Sequence, residues 1–152
     1  MKEYEKITKN CIMLWIPNFK LTTEKYTQVS GYIFNEQNEL LIVKNNDVWN
    51  IPGGHPELYE YTLGTLIREV MEEACVSIKD IKYLGAVEVI ENNDKYYQLR
   101  YIAKLDTMYE FKNEYETSER KFVKLEELSK YIKWSNGLTF KKQLESVKKE
   151  LN

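Results

Sequence analysis

The chain has 152 residues, 43% of them hydrophobic, which suits one domain with a buried core. Its formal net charge of -2, from 22 basic and 24 acidic residues, gives no electrostatic reason to expect nucleic acid as the main partner. Two cysteines and one histidine are too few for a disulfide framework or a zinc cluster. With a charged N-terminus and no apolar run of membrane-spanning length, we expect a single domain over residues 1–152 in the cytoplasm, with no membrane contact.

The first readable elements are two strands. Residues 1–25 show no clear pattern, so their structure is left open. β-Branched and aromatic runs then predict strands at Thr27–Phe34 and Leu40–Lys44, joined as a hairpin by the polar stretch between them. Pro52 and the glycine pair that follows it predict a tight, constrained loop over Trp49–Gly54.

A helix follows from Thr62 to about Cys75. Apolar residues recur there at spacings of three and four, which indicates one buried face of an amphipathic helix. The expected buried residues are Leu63, Leu66, Ile67, Val70, Met71 and Ala74.

The second half of the chain predicts more strands and then helices. A long hairpin is expected around the turn at residues 92–94, and a short strand at Lys121–Lys124 follows a polar loop at Asn113–Arg120. Helices are expected at Leu125–Tyr131 and after Gly137, the last one ending in lysines that suit the helix dipole.

Three glutamates on the first helix form the main chemical feature. Glu69, Glu72 and Glu73 stand at relative positions 0, 3 and 4, so they project from one helix face. Each like-charge pair at this spacing destabilises a helix by roughly 0.2–0.5 kcal/mol, and Arg68 is the basic residue available to offset them. Two interpretations follow: a solvated charged face, or a site for Mg²⁺ or Mn²⁺, which prefer carboxylate oxygens.

A longer spacing pattern favours the metal site. Gly54 is followed after five residues by Glu60, and after seven more by the run Arg68–Val76, whose sequence is REVMEEACV. This pattern resembles the signature of the Nudix hydrolases, also called MutT-like proteins. Six polar or glycine identities match, a coincidence expected on the order of once in ten thousand chains or less from ordinary residue frequencies.

The resemblance implies a fold, a reaction and a metal. The fold would be an α/β/α sandwich with a mixed sheet between helices. Glu69, Glu72 and Glu73 would bind Mg²⁺, with Mn²⁺ as a substitute and the Gly53 carbonyl as a further ligand. Water would then attack a phosphorus of a nucleoside diphosphate linked to another group.

Supporting and catalytic roles follow from the same resemblance. Arg68 and Glu60 would hold the metal-binding carboxylates in place through charge-assisted hydrogen bonds. Glu69 is the first choice for the general base, and Glu119 is the candidate from a later loop, with Glu116 and Glu114 behind it. His55 lies beside the motif and receives no catalytic role.

Two positions depart from the usual family pattern. Cys75 stands where the family has a glycine at the helix end, and Tyr59 stands where many members have glycine. A side chain in the left-handed conformation costs roughly 1–2 kcal/mol, so either Cys75 tolerates that strain or the helix ends differently.

Several alternatives stay open from the sequence. A silent nucleotide-sensing or protein-binding Nudix module, or a hydrolase that processes RNA ends, would share the motif, and a homodimer is possible. Substrate-binding residues are unknown, because loops and pockets cannot be placed by periodicity. The aromatic residues considered for base stacking, although packing explains each more simply, are Tyr32, Trp49, Tyr97 and Tyr101. With only three arginines in the chain, Arg68, Arg100 and Arg120 are each candidates for a planar bidentate role.

Overall fold

A mixed β-sheet forms the centre of the protein in the computed structural model, which describes residues 2–152. Within those residues nine strands join in the order β1-β2-β7-β8-β3-β4-β5, while β6 also pairs with β3 and β9 with β4. The β3–β8 pair is parallel and the other pairs are antiparallel. The strands are β1 Glu5–Thr8, β2 Cys11–Pro17, β3 Tyr26–Phe34, β4 Leu40–Asn45, β5 Val48–Asn50, β6 Gly53–Gly54, β7 Val76–Glu91, β8 Asp94–Met108 and β9 Thr117–Val123.

Two helices cover opposite faces of this sheet. Helix α1, Thr62–Ala74, packs Leu66 and Val70 into one hydrophobic core. Helix α2, Leu138–Leu151, packs Phe140 and Val147 into a second core on the other face. The predicted α/β/α sandwich is therefore confirmed. No helix within residues 2–152 has the length and apolar character needed to cross a membrane.

The N-terminal segment, left open from the sequence, supplies two of the strands. β2 pairs with β7 along its whole length, from Cys11 opposite Glu91 to Pro17 opposite Gly85, and β1 continues the sheet beyond it. Only two of the seven β2 residues are fully buried. Because most of its side chains are half-exposed, the strand carries no strong apolar alternation and is defined by its pairing partner.

Both predicted hairpins exist, but the first is looser than expected. β3 and β4 pair only at Phe34 and Leu40, after which β4 diverges and β6 pairs with β3 in its place. The second hairpin, β7–β8, turns at Asn92 and Asn93, whose positive φ angles of 50° and 67° match the turn that suits twisted strands.

Two predictions for the second half were wrong. The loop expected over Asn113–Arg120 ends early, because Thr117 already pairs with Asn45 of β4 and starts β9. Three of the seven β9 residues are exposed and only two are buried, so the strand has no apolar pattern to reveal it. The expected helix at Leu125–Tyr131 is instead a 3₁₀ turn at Leu125–Lys130, followed by another at Lys133–Asn136. The helix after Gly137 is present as α2.

The buried face of α1 is narrower than its apolar pattern predicts. Leu66, Val70 and Ala74 are fully buried, as expected. Leu63, Ile67 and Met71 are 40–47% exposed, because they lie on the flank of the helix rather than against the sheet. The periodicity therefore located the helix correctly and overestimated how much of it the sheet covers.

The end of α1 shows how the chain accommodates a cysteine in place of glycine. Cys75 adopts the left-handed conformation, with φ 56° and ψ 45°, and its N–H donates to the Met71 carbonyl at 3.0 Å. Arg120 Nη1 donates to the Ala74 carbonyl at 2.8 Å and to the Cys75 carbonyl at 3.2 Å. The helix thus ends as it would with glycine, and Arg120 satisfies the carbonyls left free there.

Replacing Cys75 by glycine should stabilise the protein slightly. Glycine removes about 1–2 kcal/mol of left-handed strain but adds about 0.4–1 kcal/mol of chain entropy to the unfolded state. We expect Cys75→Gly to raise the free energy of unfolding in urea by up to about 1 kcal/mol. The control is Cys75→Ala, which loses the thiol but keeps Cβ and should gain nothing. Equal effects of the two substitutions would show that the backbone there is unstrained.

Candidate active site

The glycine strand β6 lets helix α1 approach the sheet closely. The Gly53 N–H donates to Glu73 Oε1 at 2.7 Å. A Cβ atom on Gly54 would lie 2.4 Å from the carboxyl carbon of Glu69, and one on Gly53 would lie 2.3 Å from Ser30 Oγ. No real Cβ fits at such distances, so Gly54 is required for Glu69 to reach β6, and Gly53 is required for β6 to pack against β3.

Arg68 connects the acidic residues of the motif. Its Nε donates to Glu60 Oε2 at 2.7 Å, and its Nη1 donates to Glu69 Oε1 at 2.8 Å and to Glu72 Oε2 at 3.2 Å. Its Nη2 donates to the backbone carbonyl of His55 at 3.0 Å. The helix spacing predicted the contact between Arg68 and Glu72. The fold adds contacts from Arg68 to the preceding loop, at Glu60 and at the His55 carbonyl. One guanidinium therefore fixes the position of three carboxylates and a loop.

Glu60 is the most firmly ionised of these carboxylates. Besides Arg68 it accepts hydrogen bonds from the Glu57 N–H at 2.9 Å and from Thr65 Oγ1 at 2.6 Å. The Arg68 hydrogen bond, followed by these donors, lowers the pKa of Glu60 to about 2. Glu60 is thus a permanent anion that holds Arg68 in place.

Glu69 and Glu73 are in the opposite electrostatic situation. Burial and the charges of Glu69, Glu116 and Glu72 raise the pKa of Glu73, the Gly53 hydrogen bond opposes them, and the net result is a pKa of about 7. Burial also raises the pKa of Glu69, although Arg68 opposes that shift. The two carboxylates are partly buried beside other anions, a situation that a bound cation would relieve.

The donor set fits Mg²⁺ better than a metal held by protein ligands alone. Within residues 2–152, no three carboxylate, imidazole or thiol groups lie close enough together to form a metal site of their own. Mg²⁺ keeps several waters and takes the rest of its ligands from one or two carboxylates and substrate phosphates. Glu69, Glu72, Glu73 and the Gly53 carbonyl offer hard oxygen ligands of that kind on one side of β6.

The candidate glutamates outside the helix lie in different positions. Glu119 is in β9 rather than in a loop, its side chain is 56% exposed, and it pairs with Lys44 Nζ at 2.9 Å. Glu116 is close enough to Glu73 to raise its pKa and accepts a hydrogen bond from Asn45 Nδ2 at 3.2 Å. Glu114 and the His55 side chain are exposed. The structure therefore brings Glu116, rather than Glu119, toward the cluster.

The aromatic residues considered for base stacking have structural contacts. Tyr32 and Tyr97 are buried, and their hydroxyls donate to Gln143 and Glu88. Trp49 packs edge-on against Tyr131. The Tyr101 hydroxyl hydrogen-bonds Thr62 at 2.7 Å.

One group of polar residues near the site was missed from the sequence. Buried Arg100 lines a cavity on the α2 face of the sheet, together with Gln28, Gln98 and Gln143. These residues come from β3, β8 and α2, so only their meeting in space reveals them. The scarcity of arginine in the chain was the one available signal, and it marked Arg100 as a candidate for a planar bidentate role.

The fold and the glutamate-bearing helix together define a protein of the Nudix class. The family model described as NUDIX domain matches residues 25–143, so the chain belongs to the Nudix family, as the motif predicted. Membership also confirms the predicted enzyme class, a hydrolase of a diphosphate bond. No curated protein matches the chain by sequence.

Solved structures share this fold at low sequence identity. The pyrophosphohydrolase BsRppH of Bacillus subtilis, a point mutant, has a TM-score of 0.83 and 20% identity over 99% of this chain and 98% of its own. A Nudix hydrolase of Nitrosomonas europaea has a TM-score of 0.69 and 16% identity, covering 84% and 90%. An Ap4A hydrolase of C. elegans has a TM-score of 0.60 and 20% identity, covering 82% and 97%.

Removing Arg68 should change how stability depends on pH. The folded-state pKa of Glu60 is below its ordinary value of 4.5, so its contribution is complete above about pH 4.5 and is lost as the pH falls toward about 2. In Arg68→Met the main cause of that low pKa is gone. We expect the variant to lose less free energy of unfolding than the wild type between pH 6 and pH 3, measured by urea titration.

Arg120→Met is the matched control for this experiment. Arg120 donates to backbone carbonyls and, among the described residues, forms no ion pair with a carboxylate within 4.0 Å. Arg120→Met should destabilise the protein, but its free energy of unfolding should depend on pH in the same way as that of the wild type. If Arg68→Met and the wild type gave parallel curves, Arg68 would not be what keeps Glu60 ionised.

Proposed function

We propose that this protein is a Mg²⁺-dependent pyrophosphohydrolase that acts on a nucleoside diphosphate linked to another group. The observation that carries the proposal is the side-chain-free strand β6, which brings Glu69 and Glu73 against Gly53 and Gly54. Glu69 is paired with Arg68, whereas Glu73 has no ion-pair partner within 4.0 Å among residues 2–152, and both lie beside a strand that a diphosphate can approach closely.

The metal ligands in this proposal are Glu69, Glu72, Glu73 and the Gly53 carbonyl, with Mn²⁺ as an alternative ion. The ion, when bound, neutralises the departing phosphate and lowers the pKa of the attacking water. Arg68 orients Glu69 and Glu72 through its Nη1 donor, and Glu60 holds Arg68 from the opposite side. Arg68 and Glu60 are therefore positioning residues, because they act through the ligands.

Glu69 is the preferred general base. Its Oε1 is engaged by Arg68, while its Oε2 has no hydrogen-bond donor among residues 2–152 and is free to accept a proton. Glu116 replaces Glu119 as the second candidate, since it is near Glu73 whereas Glu119 is tied to Lys44. A pH–rate profile of Glu116→Gln beside that of the wild type separates the two assignments.

The substrate class rests on what similar proteins are named for. BsRppH is a pyrophosphohydrolase and the C. elegans protein is an Ap4A hydrolase, which supports a small nucleotide with a phosphoric anhydride bond. The near-neutral net charge favours such a ligand over RNA.

Because both cores pack on one sheet, we propose that residues 1–152 act as a single domain. Two free cysteines suit a reducing cytoplasm.

A catalytically silent binding module is the competing function. Such a module needs no metal ligands, whereas this chain keeps every acidic residue of the motif and holds them with Arg68. Nucleotide binding seen by calorimetry in Mg²⁺, without any product, would favour the silent module.

The activity test is a panel of nucleoside di- and triphosphates, dinucleoside polyphosphates and nucleotide sugars incubated with Mg²⁺. We expect hydrolysis of at least one, with kcat lowered on the order of 100-fold or more in Glu72→Gln, because even residues that only support metal ligands contribute 10–100-fold. Glu145→Gln is the control, since Glu145 is an exposed α2 residue paired weakly with Lys142. Full activity in Glu72→Gln would show that the metal site is misassigned.

Metal removal should abolish this hydrolysis reversibly. We expect EDTA to stop product formation, and Mg²⁺ or Mn²⁺ to restore it, because the carboxylates alone cannot neutralise the leaving phosphate. Thermal unfolding gives a second readout, in which Mg²⁺ raises Tm in the wild type and in Glu145→Gln but less in Glu73→Gln. Activity that survives thorough chelation would contradict the metal dependence.

A further inference from the structure

A cavity of about 540 Å³ lies on the α2 face of the sheet, away from the glutamates of α1. Apolar and aromatic side chains form part of its wall, among them Ile51, Trp134 and Phe140. Its polar lining consists of Arg100 of β8 and glutamines from β3, β8 and α2, together with Glu5, Lys6, Ser30, Asn50, Lys133 and Thr139. The cavity therefore combines an apolar wall with a polar lining that includes the hydrogen-bonded group of Arg100 and its glutamines.

Arg100 is a buried cation without a counter-ion. It is 6% exposed, and no carboxylate within residues 2–152 comes within the 4.0 Å of an ion pair. Its donors bind only neutral oxygens: Gln143 Oε1 at 3.2 Å, Gln28 Oε1 at 3.1 Å, Gln98 Oε1 at 3.1 Å and the Leu99 carbonyl at 3.3 Å. Burial lowers the pKa of Arg100 from its ordinary value. A buried charge in such surroundings costs stability until an anion or a strong acceptor reaches it.

The three glutamines keep their amide NH₂ groups available as donors. Arginine has no acceptor, so each glutamine must turn its oxygen toward Arg100, and this settles the orientation of all three amides. Gln143 Oε1 also accepts the Tyr32 hydroxyl at 2.6 Å. Their NH₂ groups have no acceptor among the described residues. Gln143 is only 2% exposed, yet its NH₂ is not sealed from solvent, so it opens on the cavity.

The cavity lies next to the proposed reaction site. Ser30 of β3 pairs with Gly53 on one side and with Arg100 on the other, so these three residues form one row across the sheet. Two strand spacings separate Gly53 from Arg100, or about 10 Å. A substrate with its diphosphate at Gly53 can place its attached nucleoside beside Arg100.

We propose that Arg100 and the three glutamines bind a group that carries only hydrogen-bond acceptors, on the part of the substrate attached to the diphosphate. Arg100 is then the specificity-determining residue. Two kinds of group have this chemistry: the O6–N7 edge of a 6-oxopurine such as guanine, and an oxyanion such as phosphate. Adenine does not, because it presents an N6 donor beside N7. The inference rests on the proposed function, because it takes the bound ligand to be part of the substrate.

A purely structural role for Arg100 leaves part of this arrangement unexplained. The guanidinium links β8, β3 and α2, and that link alone could justify an arginine. It does not require three amides whose NH₂ groups have no acceptor among residues 2–152, nor a cation without an anion. Both features fit a ligand that supplies acceptors and negative charge.

The test is direct binding without metal, so that it does not depend on turnover. GMP, AMP and inorganic phosphate are titrated into the full chain by calorimetry in EDTA. We expect GMP to bind, and Arg100→Met to weaken binding roughly 10-fold or more, since a hydrogen bond to a charged donor contributes at least about that factor. Arg100→Lys should weaken it as well, because lysine keeps the charge but cannot hold the three glutamine oxygens with one planar group.

A second variant covers the case in which Arg100→Met does not fold. Gln98→Glu places a carboxylate where the amide oxygen already meets Arg100, so it supplies the missing counter-ion with little change in shape. We expect a higher Tm together with weaker ligand binding, because the new anion repels acceptors. Gln37→Glu, on an exposed turn, is the matched control for the added charge and should change neither. A structural role for Arg100 predicts the same rise in Tm with unchanged binding.

The outcomes are separable. GMP preferred over AMP, with the preference lost in Gln98→Glu, supports the inference and assigns the purine edge. Equal affinity for GMP and AMP, with phosphate competing and Arg100→Lys or Gln98→Glu weakening both, supports it and assigns an oxyanion. Binding that none of the variants changes, or no binding of any probe, overturns it. Hydrolysis with wild-type KM in Gln98→Glu would overturn it while leaving the proposed function intact.

Discussion

The close contact between a strand of two glycines and a helix of glutamates is the constraint on which the site depends. β6 fits beside β3 only because β4 diverges after Leu40 and Gly53 has no Cβ, and it approaches α1 only because Gly54 has none. Any side chain at Gly54 would occupy the place of the Glu69 carboxyl group. The absence of side chains on β6 thus leaves room for the carboxylates and, in our proposal, for a diphosphate.

Arg68 makes this arrangement stable in the absence of a bound cation. Four carboxylates within one helix and its preceding loop would repel each other, and one guanidinium contacts Glu57, Glu60, Glu69 and Glu72. The carboxylates differ in pKa: the pKa of Glu60 is lowered to about 2, whereas that of partly buried Glu73 is raised to about 7. One carboxylate therefore serves the fold, and the others keep the capacity to bind a cation.

The two sides of the sheet carry complementary charges along one row of residues. Acidic groups gather at Gly53 from the α1 side, and donors with a buried cation gather at Arg100 from the α2 side, with Ser30 between them. A ligand with a metal-binding diphosphate at one end and acceptors at the other would satisfy both groups.

The sequence by itself determined the family, the helix and the proposed metal ligands, because these follow from spacing along a single helix and its preceding loop, and the resemblance to that family implied the sandwich architecture. Only the tertiary structure decided that Glu119 pairs with Lys44, that residues 5–17 join the sheet, and that Arg100 meets three glutamines. These features depend on pairing between strands distant in the chain, where half-exposed residues leave no periodic pattern. The left-handed Cys75 lies between the two cases: its position was visible in the motif, but only the surrounding contacts, among them Arg120 from β9, decided that the strain is tolerated.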